Sequence, residues 1–104
     1  MTTHVFFLNT LRPGVEADEY ERWLREVDYP AARSLSAIHS YLVVRADGPL
    51  RDGDVPCDYL EIVEIDDLGE YREAIAALPG REHFLRQLRS FVGDAGAFHG
   101  TVVS

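Results

Sequence analysis

Apolar residues recur along the chain at two spacings, one typical of strands and one typical of helices. Runs rich in aromatic and β-branched residues predict four strands, at 4–10, 37–45, 58–65 and in the closing "AGAFHGTVVS". Apolar residues three to five positions apart predict three helical stretches, at 15–27, 67–78 and, after a break at its start, 79–92. Strands and helices therefore alternate in the order βαβ and then βααβ.

This order predicts an α+β fold of the ferredoxin-like, split βαβ type. In that fold a four-stranded antiparallel sheet carries its helices on one face. The chain has 104 residues, so we expect a single domain that spans residues 1–104. Dense Gly, Pro and Asp in residues 45–58 predict a long connection between the second and third strands.

The two faces of the predicted sheet differ in polarity, because alternate side chains of a strand point to opposite sides. The even-numbered positions are nearly all apolar, and we expect them to pack against the helices: Phe6, Leu8, Ile38, Leu42, Val44, Leu60, Ile62, Phe98 and Val102. The odd-numbered positions mix apolar with polar groups: Val5, Phe7, Asn9, His39, Tyr41, Val43, Arg45, Tyr59, Glu61, Val63, Ile65, His99, Thr101 and Val103. An open sheet face is normally polar. We therefore expect a second copy of the chain to cover the odd face, as a homodimer with a small-molecule pocket.

The acidic composition argues against several classes of partner. A formal net charge of −8 repels phosphate backbones and anionic lipid surfaces, so neither nucleic acid nor a membrane is an expected partner. The N-terminal residues lack a basic leader and a long apolar run, which predicts a cytoplasmic protein. Cys57 is the single cysteine, so an internal disulfide is impossible and we expect a small, buried side chain there.

The sequence contains no motif that predicts a cofactor or a metal. Phosphate-loop, dinucleotide-binding and serine-hydrolase patterns are absent. The four histidines are not paired at a spacing typical of metal ligands, and carboxylates are too common in this chain to be diagnostic. We therefore expect neither a cofactor nor a metal ion.

The stretch "YERWLREVDYPAARSLSAIHSY", residues 20–41, resembles the EthD-like proteins of the dimeric α+β barrel superfamily, which also includes the antibiotic-biosynthesis monooxygenases. Asp28 occupies the His position and Pro30 the Pro position of the His-x-Pro motif of those proteins. Because Asp stands in place of His, the role of their histidine is not carried over. "FFLNTLRPGV", "YERWLREVDYP" and "DYLEIVEI" resemble the RedY-like family that includes HapK, over about residues 4–92. That resemblance implies a homodimeric, cofactor-free protein of bacterial secondary metabolism. Some members resemble catalysts that cyclise or dehydrate indole- or pyrrole-derived aromatic intermediates.

Asp28 is the first catalytic candidate, because it stands with Tyr29 and Pro30 where the first helical pattern is interrupted. We expect the helix to end there. A carboxylate beside apolar walls has its pKa raised by desolvation and could exchange protons with a bound aromatic molecule. The alternative is a solvated side chain that caps the turn before Pro30.

His99 and His39 are the other catalytic candidates, since both fall on the odd face and histidine suits acid–base chemistry near neutral pH. The alternative for each is an ordinary polar strand residue. The candidate substrate-binding residues are Asn9, Phe7, Trp23, Tyr41, Tyr59 and Glu61.

Each of the polar and aromatic candidates has a structural alternative. Asn9 could bond the turn that follows its strand. The two tyrosines could pack against a partner sheet, and Trp23 could belong to the core. Glu61 could form an ion pair with Arg45.

The leading hypothesis is a cofactor-independent enzyme that binds a small aromatic substrate between its sheet and its helices. Asp28, together with His99 or His39, would move protons to drive dehydration or ring closure. The alternatives are a carrier that holds a reactive pigment precursor without chemistry, and a cofactor-free monooxygenase. Enzymes encoded beside this protein are further candidate partners.

Overall fold

The computed structural model describes residues 2–103 and places every predicted element in the predicted order. The elements are β1 (Thr3–Leu11), α1 (Ala17–Trp23), a π-helical turn (Leu24–Asp28), α2 (Tyr29–Arg33), β2 (Ile38–Arg45), β3 (Tyr59–Ile65), α3 (Leu68–Ala76), α4 (Arg81–Phe91) and β4 (Val92–Thr101). None of the helices in this part of the chain has the length and apolarity that crossing a bilayer requires.

The four strands form one antiparallel sheet in the order β2-β3-β1-β4. This is the ferredoxin-like arrangement that the element order predicts, so the predicted α+β fold class is confirmed. The predicted long connection between β2 and β3 is also present, and it is mostly exposed. Cys57, at its end, is buried as expected.

Local sequence signals explain where two of the helices begin. The Asp67 side chain caps α3 by accepting a hydrogen bond from the backbone N–H of Glu70 at 3.1 Å. Before α4, Gly80 adopts φ of 70°, a left-handed conformation that glycine reaches without a steric penalty. These two signals separate α3 from α4, at the break that the sequence predicts.

The first helix does not end at Asp28, and this corrects the sequence-based expectation. It continues through a π-helical turn into α2, with the backbone N–H of Tyr29 donating to the carbonyl of Leu24, five residues earlier. Pro30 has no N–H to donate, and its ring crowds the carbonyl four residues before it. A wider turn relieves that crowding, so the chain passes Pro30 without leaving the helix.

The helices cover the odd-numbered face of the sheet, so the assignment of the two faces from sequence was wrong. Side chains such as Tyr59, Val63 and Ile65 are at most 2% exposed, whereas Leu42 and Phe98 on the even face are 51% and 56% exposed. The odd face looked less suitable for the core because it carries polar residues. Those residues face an internal cavity, which supplies a reason for polar groups beneath the helices.

We expect Ile65→Ala to lower the free energy of unfolding by about 2–5 kcal/mol, because it leaves a cavity in the core around Val5, Val63 and Tyr71. Leu50→Ala, a truncation in the exposed connection, should change it by less than about 0.5 kcal/mol. Chemical denaturation of both variants measures the difference. Equal costs for the two truncations would contradict this assignment of the core.

Candidate active site

A cavity of about 190 Å³ lies between the sheet and the helices of a single chain. Its walls are largely apolar and come from three of the four strands and from the helices that cover them: Phe7, Asn9, Asp28, Ala31, Ala32, Leu35, Ile38, Tyr41, Glu61, Val63, Tyr71, Ile75, Leu78, Phe84, Leu85 and Leu88. Forming it requires no second copy of the chain over the odd face, and it lies between the sheet and the helices, where the leading hypothesis places the substrate. An apolar chamber with a few convergent polar groups is typical of small-molecule sites.

Two carboxyl groups meet one tyrosine hydroxyl on the wall of this cavity. The hydroxyl oxygen of Tyr41 lies 2.8 Å from Oε1 of Glu61 and is also hydrogen-bonded to Oδ2 of Asp28. Asp28 and Glu61 are only 5% and 7% exposed. Neither carboxyl forms an ion pair with any residue of the described chain. The three side chains, called here the carboxyl–tyrosine cluster, are the main polar feature of the cavity.

The sheet and the π-helical turn bring these three side chains together from distant parts of the sequence. Tyr41 on β2 pairs with Val63 of β3, one step along the same face from Glu61. Asp28 is the last residue of the π-helical turn. The hydroxyl of Tyr29, the next residue, accepts a hydrogen bond from the backbone N–H of Val43 at 2.8 Å. That bond ties the helix to β2, an edge strand, and holds Asp28 against Tyr41.

The cluster needs one more proton than the tyrosine itself supplies. A tyrosine hydroxyl carries a single hydrogen, so Tyr41 cannot donate to both carboxylates at once. If both were ionised, one would face the hydroxyl oxygen with no hydrogen between them. One carboxyl must therefore be protonated and donate to Tyr41, which in turn donates to the other. The result is a directional chain of hydrogen bonds.

Burial decides which carboxyl holds this proton. Loss of hydration raises the pKa of Glu61 to about 8, and the nearby charge of Asp28 adds to the effect. Loss of hydration also raises the pKa of Asp28, to about 6, against a lowering effect of the Tyr41 hydrogen bond. At pH 7 Glu61 is therefore the protonated member and Asp28 the ionised one. Burial, followed by the charges of Glu61 and Asp28, raises the pKa of Tyr41, which stays a neutral hydroxyl.

Three further side chains complete the polar and aromatic part of the cavity. Asn9 is 7% exposed, and its side chain lies beside the hydroxyl of Tyr20. Tyr71 of α3 lines the opposite wall, where burial raises its pKa to about 12. Phe7 contributes a flat apolar surface. The cavity thus contains the predicted residues Phe7, Asn9, Asp28, Tyr41 and Glu61.

The two candidate histidines lie away from the cavity. An irregular register between Ile38 and Ser40 places Ile38 opposite Ile65, and His39 pairs instead with exposed Asp66, at 2.6 Å. His99 pairs with Val5 but lies on the edge strand β4, where it is exposed. The structure therefore brings neither histidine to Asp28, and the partner of Asp28 is a second carboxyl.

Trp23 and Tyr59 pack in the core instead of lining the cavity. The indole N–H of Trp23 donates to Oε1 of Gln87 at 3.1 Å. The hydroxyl of Tyr59 donates to Oε2 of Glu21 at 2.7 Å. Arg45 pairs with the same Glu21 oxygen at 2.9 Å, so the expected pair between Glu61 and Arg45 is absent. Glu61 is left without a cation.

The sequence analysis did not include Tyr71 among the candidate site residues, although it predicted the helix that carries it. A tyrosine on that side of a helix is normally a core residue, so periodicity alone gave no signal for the cavity. Among residues 2–103, no group of three or more His, Cys, Asp or Glu side chains is arranged to hold a metal ion.

The raised carboxyl pKa values predict that the protein loses stability as the pH rises from about 5 to about 8. Over that range the native carboxyls of Asp28 and Glu61 retain protons that the unfolded chain, titrating near 4, has released. Glu61→Gln should remove most of this loss, about 3 kcal/mol at about 1.4 kcal/mol for each pH unit between pH 5.5 and the native pKa of Glu61. Urea denaturation at pH 5.5 and pH 8.5 measures it.

Two comparisons make this measurement specific. His39, whose pKa is raised mainly by Asp66, also favours the native state at low pH, but Glu61→Gln leaves that contribution unchanged. Glu73→Gln, at an exposed position on α3, makes the same side-chain replacement outside the cavity and should keep the wild-type pH dependence. A Glu61→Gln variant that kept it too would contradict the assignment of a buried, protonated Glu61.

Comparison with known proteins assigns this chain to a described family. The profile of the family described as REDY-like protein HapK matches residues 3–103. No curated protein sequence matches the chain. The structure is similar to that of HapK from Hahella chejuensis, with 20% identity, a TM-score of 0.79, and 99% of this chain and 93% of that chain covered.

Two other solved structures share the fold. SnoaB from Streptomyces nogalater, a cofactor-independent oxygenase, is 21% identical with a TM-score of 0.69, over 99% of this chain and 93% of its own. A dimeric ferredoxin-like protein of unknown function from Thermobifida fusca is 19% identical with a TM-score of 0.68, over 97% of this chain and 90% of its own. These likenesses establish the fold, and the profile match establishes the family. The chain belongs to the REDY-like HapK family.

Proposed function

We propose that this protein is a cofactor-independent acid–base catalyst that dehydrates or cyclises a small aromatic intermediate of bacterial secondary metabolism. The observation that carries the proposal is the carboxyl–tyrosine cluster, two buried carboxyls that share one tyrosine hydroxyl on the wall of an apolar cavity. One member is ready to give a proton and the other to accept one at neutral pH, which general acid–base catalysis requires.

The cluster accounts for each proton in a loss of water. Glu61 donates its proton to the hydroxyl group that leaves the substrate, and the C–O bond breaks to release water. Asp28 removes a proton from the adjacent carbon or nitrogen, and that electron pair forms the new double bond or closes the ring. Tyr41 then passes its hydrogen to Glu61 and takes one from Asp28, which restores the starting state. No oxidant, reductant or further reactant is needed.

The remaining cavity residues fit a flat aromatic substrate. Phe7 and the aliphatic walls provide apolar contact area, and the amide of Asn9 offers both a hydrogen-bond donor and an acceptor. Holding the substrate against the cluster adds to the rate by fixing its orientation. The family assignment supports an indole- or pyrrole-derived intermediate as the substrate class.

The proposal predicts a bell-shaped dependence of kcat/KM on pH, with limbs near 6 and 8 and a maximum near 7. The acid limb reports ionisation of Asp28 and the alkaline limb loss of the proton from Glu61. The assay incubates purified protein with a hydroxylated bisindole or bipyrrole precursor and follows loss of water by mass spectrometry. Asp28→Asn and Glu61→Gln should each lower kcat by about 10²–10⁴-fold.

The controls for this assay separate the competing functions. Glu73→Gln, outside the cavity, should retain wild-type kcat, and Tyr41→Phe should lose activity because the two carboxyls can no longer exchange protons. Turnover that consumes dioxygen would instead support a monooxygenase, the activity named for SnoaB. Tight binding without turnover would support a carrier. Unchanged kcat in both carboxyl variants would overturn the catalytic assignment.

We also propose that the even-numbered sheet face binds a second copy of the chain. Leu42, Val44 and Phe98 are each more than 40% exposed there, and Phe6 stacks on Phe98 with ring centroids 4.8 Å apart. Leaving several such side chains in water costs about 1.5–3 kcal/mol each, a large loss for a small domain. The related fold from Thermobifida fusca is described as dimeric. The dimer therefore uses the face opposite to the one expected from sequence.

Sedimentation velocity at micromolar concentration should show a dimer for the wild-type chain. A Leu42→Glu, Phe98→Glu double variant should sediment as a folded monomer, because it places charges in the proposed interface. Leu50→Glu, on the exposed connection, should leave the dimer intact. A monomeric wild-type protein at this concentration would contradict the proposal.

A further inference from the structure

The carboxyl–tyrosine cluster leaves two acceptor atoms free inside the cavity. Tyr41 contacts Oδ2 of Asp28 and Oε1 of Glu61, and no donor from residues 2–103 bonds the other carboxyl oxygens, Oδ1 of Asp28 and Oε2 of Glu61. The hydroxyl of Tyr20 is fully buried and has no hydrogen-bond partner, whereas these two carboxyl oxygens are not among the fully buried atoms without a partner. The two free oxygens therefore border the cavity space and are available to a bound molecule.

The cavity offers no positive charge to balance these acceptors. None of its lining residues is arginine, lysine or histidine. The nearest strand arginine, Arg45, is paired with Glu21 and Asp47 outside the cavity. Buried carboxylates in proteins are normally paired with a cation or bound to a metal. At neutral pH the proton on Glu61 neutralises one carboxyl, and a cationic ligand would supply the positive charge that Asp28 lacks.

Asn9 adds a polar group to the wall that carries the two free oxygens. Its side chain is more than nine-tenths buried, lines the same cavity and lies beside the hydroxyl of Tyr20. The site therefore presents acceptors and one amide within apolar walls.

From this arrangement we infer that the cavity selects aromatic molecules with a cationic nitrogen and excludes those with a carboxylate or phosphate. The nitrogen would donate to the free oxygens of Asp28 and Glu61, with the ring against Phe7 and the aliphatic walls. An anion in the same place would face two carboxyl groups with no cation nearby. The inference rests on the proposed function only in taking this cavity as the ligand site.

Binding of such a cation should strengthen as the pH rises. A protonated carboxyl must release its proton, or turn it away, to accept a hydrogen bond from an ammonium group. The preference should therefore grow between pH 6 and pH 8, as the cluster loses protons. The charges that face the two carboxyls from the packed elements are each other's, with the neutral hydroxyls of Tyr20, Tyr41 and Tyr71 nearby.

Three probes of similar shape test the inference by isothermal titration calorimetry: 2-(1-naphthyl)ethylamine, 2-(1-naphthyl)ethanol and 1-naphthylacetate. At pH 8 the amine should bind at least about tenfold more tightly than the alcohol, and the acetate more weakly than either. The Asp28→Asn, Glu61→Gln double variant should bind the amine and the alcohol with equal affinity. Glu73→Gln should keep the wild-type preference.

Each outcome supports or overturns the inference. Equal affinity of the wild-type protein for amine and alcohol would overturn it while leaving the cavity as a ligand site, so the proposed catalysis would stand. Tighter binding of the acetate would overturn it as well. Failure of all three probes to bind would overturn both the inference and the cavity as a site for aromatic ligands. The wild-type comparison needs no variant, so it stands even if the double variant does not fold.

Discussion

The structure depends on one electrostatic constraint, the burial of two carboxyl groups around a single hydroxyl with no cation beside them. Asp28 and Glu61 do not both ionise there at neutral pH, because the apolar walls disfavour charge and each carboxylate disfavours the other. The pair therefore retains a proton at neutral pH, and Tyr41 connects its two members. Burial of this kind opposes stability, which is why it is characteristic of functional sites. The cavity, the protonation states of the three side chains and the ligand preference all follow from it.

The fold holds this cluster by two different means. Glu61 and Tyr41 are fixed by strand register, since β2 and β3 are neighbours and present both side chains on the face beneath the helices. Asp28 is placed by an irregularity, the π-helical turn before Pro30, and secured by the bond from the Val43 N–H to the Tyr29 hydroxyl. π-Helical turns recur at functional sites because they redirect a side chain without ending a helix. The π-helical turn that Pro30 favours therefore also explains how Asp28 reaches the cavity.

Much of this architecture could be predicted from the sequence, and the failures have physical causes. Alternation and helical spacing are local signals, so the elements, the fold class and five of the cavity residues were predictable. The covered face was misassigned because polar Asn9 and Glu61 argue against burial unless a cavity lies beneath the helices. His39 was misplaced because the irregular register at Ile38–Ser40 breaks the alternation on which the prediction relied. The pairing of Asp28 with Glu61 joins residues far apart in the chain, and no local pattern encodes it.

The most direct test of the account is the protonation state of the two carboxyls themselves. Carbon-13 NMR of the side-chain carboxyl carbons, assigned with Asp28→Asn and Glu61→Gln, reports each titration in the ligand-free protein. The account predicts that at pH 7 Glu61 is protonated and Asp28 ionised, with Glu61 titrating near 8 and Asp28 near 6. Two carboxyls that are both fully ionised at pH 7, with titrations near 4, would contradict it.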